Sequence, residues 1–205
     1  MPAQSLATEV FILLKRPPSD SFQAFTAFSP EHGALHLMQR VPRKTPATVT
    51  PLDLFDEASL LLESSNQGRT WFVKEARVLV RHSDLGRNYA TLQLASALAT
   101  LVARNSVPEE SRAAVGELLR AALAAFASGV RPDIVYFKSL YRFARDEGYP
   151  LKQQWFPTLP AADRAAVAAL LNRPLAEQSA ELPAVTRLQR RLDEYLRGHT
   201  EILLG

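Results

Sequence analysis

Three cations, Arg40, Arg43 and Lys44, fall inside a stretch between Glu31 and Asp53 that contains no acidic residue. Uncompensated cations are what a phosphate backbone requires, because affinity for nucleic acid comes largely from displaced counterions. Lys15 and Arg16 end an earlier apolar run and are placed to join the same surface. Further along, Lys138, Arg142 and Arg145 recur at i, i+4 and i+7, a spacing that puts them on one face of a helix. Arg187, Arg190 and Arg191 make a second basic patch. The first group suits DNA contact. The helical groups suit either an acidic protein partner or a solvated face opposite a core.

Groups for covalent chemistry are not assembled. The chain has no phosphate-cradling glycine loop, no GxGxxG and no nucleophile elbow. His32 and His36 are four apart, but they flank a glycine turn and a strand, so their rings are expected to diverge rather than share a metal. His82 and His199 have no evident partners. Asp53, Asp56 and Glu57 form a carboxylate cluster beside a turn, where solvation is the usual state, and no nucleophile or base completes a site. Cysteine is absent, which excludes disulfides and thiolate zinc sites. The expectation is a non-enzymatic protein with no cofactor and no metal.

The elements that position these groups fall into two halves. From Glu9 to His82 five strand-like runs follow one another: "EVFILLK", "SFQAFTAF", "ALHLMQRV", "PLDLFDEASLLLES" and "TWFVKEARVLVRH". Short turns join them, including "SPEHG" with Pro30 and Gly33, which predicts a small barrel or sandwich. Phe22, Phe25 and Phe28 could stack on bases, as single-strand-binding barrels require, but their spacing puts two of them in a core. Trp71 and Phe72 point to opposite faces of their strand.

After Ser83 the period becomes helical. Tyr89 to Arg104 is apolar almost all round, as a central helix is. A second helix follows "SVPEE" and runs to Gly129, and a third opens at Pro132 and ends near Gly148. Two more are expected, from Ala161 to Leu171 and from Pro183 to Arg197, the last with a seam of Val185, Leu188 and Leu192. The 47% hydrophobic content supports a core in each half, and a net charge of +3 is too small by itself to establish a nucleic-acid partner. The opening residues lack the basic and apolar regions of a signal peptide, and the longest apolar run, Tyr89 to Ala103, is too short for a bilayer. A cytoplasmic protein without membrane attachment is expected.

In this order the features resemble the bacterial RecO family of recombination mediators along nearly the whole chain. The strongest local similarity is "FSPEHGALHLMQRVPRKT", a strand, turn, strand and basic loop. "TPLDLFDEASLLLES", "FKSLYRFARDEGYPL", "LLNRPLAE" and "RLQRRLDEYLRGH" extend it. The resemblance implies an α+β protein: a five-stranded OB-fold barrel over residues 1–82, then an all-helical domain over 83–205. It implies binding to single- and double-stranded DNA and annealing of complementary strands. It also implies contact with the acidic tail of single-stranded-DNA-binding protein, and a RecR-type partner that helps load RecA. Arg40, Arg43, Lys44, Lys15 and Arg16 would meet DNA; Lys138, Arg142, Arg145, Arg187, Arg190 and Arg191 would meet the protein partner.

The chain departs from the pattern twice. Many relatives carry a cysteine-rich zinc loop after the Gly-Tyr pair, whereas here Tyr149 is followed only by "PLKQQWFPTLP". The basic loop is leaner than usual and stiffened by Pro42 and Pro46. An adaptor with an OB-fold and little intrinsic DNA binding is therefore the competing expectation.

Overall fold

The computed structural model describes residues 4–41, 50–65 and 69–204. It is an α+β chain with a five-stranded N-terminal sheet and a helical C-terminal region. The strands are β1 (Ser5–Lys15), β2 (Phe22–Ser29), β3 (Gly33–Arg40), β4 (Glu57–Ser65) and β5 (Thr70–Val80). Their pairing order, β1-β2-β3-β5-β4, returns to β1, so every strand has two neighbours and the sheet closes on itself. All pairs are antiparallel except β3 with β5, where Leu37 lies opposite Trp71 and Met38 opposite Phe72.

Alternation along the strands builds the inner core. On β3, Leu35 and Leu37 are buried while His36 and Arg40 are exposed. They join Val10, Ile12, Phe25, Ala27, Leu60 and Leu62 in one apolar cluster. Each such side chain contributes about 1.5–3 kcal/mol by leaving water.

The segment "PLDLFD" before β4 is not strand, although it reads as the start of one; β4 begins only at Glu57. A polar clamp holds it instead. The Asp56 carboxylate, fully buried, accepts the Asp53 amide at 2.8 Å and two bonds from the Arg81 guanidinium at 3.0 and 2.7 Å. Phe55 takes a left-handed backbone, φ 66°, while its amide donates to the Ile12 carbonyl at 2.9 Å. Its ring is buried.

Two compact units emerge. The first takes the chain up to Ser83 together with Val102–Glu117; the second takes Asp84–Leu101 and the chain from Leu118 onward. The stretch Val102–Glu117 thus belongs with the sheet, although its helical period grouped it with the helical half. The "SPEHG" turn explains this. Gly33 sits at φ 72°, and the Glu31 carbonyl accepts from Arg112 Nη1 at 3.1 Å. Pro30 lies so close to Gly116 that a Cβ there would stand 2.7 Å from the proline Cγ.

The helices are α1 (Tyr89–Arg104), α2 (Glu109–Ala127), α3 (Pro132–Asp146), α4 (Ala161–Asn172) and α5 (Leu182–His199). In the second unit α3 buries Phe137, Leu140, Tyr141 and Phe143. Along α5, Val185, Leu188, Leu192 and Leu196 form one buried seam. Residues 150–160 are held by burial of Leu151, Trp155 and Leu159. Among the described residues no helix is long and apolar enough to cross a membrane.

Candidate functional site

In the first unit the predicted DNA-contacting residues divide. Arg43 and Lys44 lie outside the described residues. Arg40 ends β3 with its side chain exposed, and among the described residues no carboxylate pairs with it. Arg16 is exposed at the start of the β1–β2 connection, where its amide donates to the Ala24 carbonyl at 3.0 Å. Lys15 is committed: its Nζ donates to Asp53 Oδ1 at 2.9 Å. Burial pushes the Asp53 carboxyl up, but the Lys15 hydrogen bond, the Leu54 amide and nearby cations outweigh it and hold the group below its usual value. A ligand phosphate would have to compete with that pair.

Of the carboxylates Asp53, Asp56 and Glu57, Asp53 is exposed as the sequence suggests, whereas the other two are not solvated. Asp56 and Glu57 are buried, and Asp56 is saturated by Arg81 and a backbone amide. They anchor a loop. Burial lowers the His82 imidazole, against the raising influence of Glu57 and Asp56, so it stays neutral to lower pH than usual. Among the described residues no three His, Cys, Asp or Glu side chains gather in a way that could hold a metal.

The aromatic residues sort by face. Phe25 and Phe28 are buried. Phe22 remains half-exposed and packs its ring against Phe72 at a centroid distance of 5.4 Å. Trp71 turns inward against the core cluster, so Phe72 is the outward member of its pair.

The second unit holds a groove of ≈ 710 Å³. Lys138, Arg142 and Arg145 all line it, as does Lys152 from the segment after α3. Its apolar wall includes Leu118 from α2, Val135 from α3, Phe156, and Leu171 and Leu175 from in and after α4. Among the described residues no Asp or Glu lines it. The cations are held in place by neighbours. Lys138 Nζ donates to the Arg173 carbonyl at the end of α4, 2.9 Å away, and burial lowers its ammonium. Arg142 and Arg145 share the Asp146 carboxylate, at 3.3 and 2.6 Å. Such a groove can take an extended acidic segment that ends in an apolar side chain, since carboxylates meet the rim and the anchor meets the wall.

The other predicted patch does not join this groove. Arg187 and Arg191 bind the buried Asp163 carboxylate at 2.8 and 3.4 Å, tying α5 to α4. Arg190 is exposed. Lys152 and Phe156 were missed by sequence reasoning; their signal was the cation and aromatic in "PLKQQWF", directly after the basic face of α3. Compared with known protein families and with curated protein sequences, the chain matches no family model and no curated sequence.

Proposed function

We propose that this chain is a DNA repair and recombination mediator of the RecO kind. It binds and anneals DNA on an N-terminal OB-fold barrel and docks the acidic tail of single-stranded-DNA-binding protein on its helical unit. With a RecR-type partner it helps load the recombinase. It makes and breaks no covalent bond in this role and works in the cytoplasm.

The observation that carries the reading is the groove, where four cations from α3 and the following segment rim an apolar wall that no carboxylate among the described residues lines. A mediator must recognise a protein-coated strand, and a tail of carboxylates with an apolar end is the ligand whose chemistry fits. The cyclic strand order with one parallel pair is consistent with an OB-fold, and exposed Arg16 and Arg40 have no ion-pair partner among the described residues.

The test is paired. A tail peptide with several carboxylates and a terminal aromatic should bind the protein, more weakly as salt rises. Labelled complementary oligonucleotides should anneal faster in its presence. No peptide binding and no acceleration would remove the mediator role.

The adaptor with little intrinsic DNA binding is favoured by one observation, the sequestering of Lys15 by Asp53. It predicts peptide binding without salt-dependent oligonucleotide binding.

A further inference from the structure

We propose that Phe22 and Phe72 form a stacking platform for an unpaired nucleic-acid base, with Arg40 on the adjoining phosphate. This rests on the nucleic-acid reading above and adds to it a subsite and a preference for single strands.

The two rings are brought together by strand order, since β3 lies between their strands. Phe22 is in register with Arg40, and Phe72 with Met38. The rings stand 5.4 Å apart at 55°, within the range of an attractive tilted pair. Both lie on the outer face, opposite the apolar cluster that takes Trp71 and Val73. Outer-face aromatics elsewhere on the sheet are covered: Phe11 and Phe28 are each 1% exposed. Phe22, Phe72 and Met38 are only half-buried. The same face carries exposed His36 and Arg40 on β3, so this aromatic pair stands beside solvent-facing polar groups.

The surrounding charges select the occupant. Arg40 stands directly across from Phe22, and Gln23, the residue after Phe22, donates its side-chain amide to the Arg16 carbonyl. Arg40 borders the patch, and the Arg16 backbone is tied to β2, the strand that carries Phe22. Of the acids nearby, Glu63 is the β4 neighbour of Phe72 and is neutralised by Lys74, while Asp20 lies in the turn before Phe22. An apolar peptide would gain nothing from the arginines. A nucleotide uses both features, its base on the rings and its phosphate on the guanidinium. Duplex DNA conceals its base faces, so only an unpaired strand can use the platform.

The experiment compares a single-stranded oligonucleotide with an abasic strand of equal length, which keeps the phosphates and removes the bases. Wild-type protein should bind the base-bearing strand roughly tenfold more tightly, as expected for a base on an aromatic ring. Phe72→Leu and Phe22→Leu keep apolar bulk but lose the ring, and should weaken only the base-bearing complex. Arg40→Gln should weaken both complexes alike. Equal wild-type affinity for the two strands overturns the platform and leaves the nucleic-acid reading standing. A base preference that survives both leucine variants places the platform elsewhere and overturns this assignment. Failure to bind either strand overturns the platform and the nucleic-acid reading together. Should the leucine variants unfold, ultraviolet cross-linking of the base-bearing strand to the wild-type protein decides: adducts at Phe22 or Phe72 support the platform, and adducts confined to other residues overturn it.

Discussion

Asp163 on α4 and Arg187 on α5 are bound to each other at 2.8 Å, with the carboxylate side chain only 7% exposed and the guanidinium 55% exposed. The asymmetry makes the carboxylate the costly partner to abandon, because a buried charge that loses a donor keeps its full desolvation cost. Arg187→Met should therefore destabilise the protein by about 1–3 kcal/mol, read as a lower thermal midpoint. Affinity for an acidic peptide should stay within about twofold, since Arg187 does not line the groove. A fall in peptide affinity without a fall in midpoint would return this arginine to the binding surface.

For the groove itself, charge reversal at its rim is the direct probe. Arg145→Glu and Lys152→Glu should each reduce peptide affinity roughly tenfold at low salt, with the difference shrinking as salt screens the rim. Arg190→Glu, which is exposed but outside the groove, serves as the control and should change little. Peptide titrations at two ionic strengths check all three.

Gly116 reverses a common expectation. In a helix interior, glycine to alanine usually stabilises by about 1 kcal/mol. Here the added Cβ would meet the ring of Pro30 at 2.7 Å and 3.1 Å. Gly116→Ala should destabilise by about 1–3 kcal/mol through overpacking. Denaturant unfolding would show a lower midpoint, whereas an unchanged or higher one would mean that the "SPEHG" turn can move aside cheaply.

The Asp193 carboxyl on α5 gives a pH signature. Burial raises it, outweighing the Gln189 hydrogen bond at 2.7 Å and the charge of Arg197, while Glu194 adds to the rise. Across from it on α3, burial and the Asp193 charge together push the Tyr136 phenol up to about 12. A raised folded-state carboxyl holds its proton where the unfolded chain has lost it. Stability therefore falls as pH climbs from the ordinary 3.8 through the raised folded value, and the whole penalty is present above that. Asp193→Asn should raise the midpoint at pH 7, and the gain should vanish below about pH 3.8. A gain independent of pH would trace to packing rather than charge.

What the sequence made legible follows from which forces are local. Helical spacing put Lys138, Arg142 and Arg145 on one face, and all three do line one groove, because a helix fixes neighbours within a few residues. The alternation of β3 sorted Leu35 and Leu37 from His36 and Arg40 for the same reason. The Phe22–Phe72 contact could not be read, because it depends on β3 lying between β2 and β5, a pairing of residues 50 positions apart. Alternation showed that Trp71 and Phe72 face opposite ways; only closure of the sheet decided which one faces out. Asp56 was misjudged because its partner, Arg81, arrives from the far end of β5.

Phe55 places two incompatible demands on one position. Its backbone, at φ 66°, favours glycine or asparagine, while the surroundings of its ring favour a large apolar side chain. No amino acid satisfies both. In a saturation library, glycine there would relieve the backbone and open a void, and valine or isoleucine would suffer on both counts. The site should thus accept very few replacements, and its tolerance profile would resemble that of a binding residue although its ring is buried in the core. Such a profile, met in an alignment or a selection experiment, would mark the cost of turning the chain sharply into β4 rather than a function.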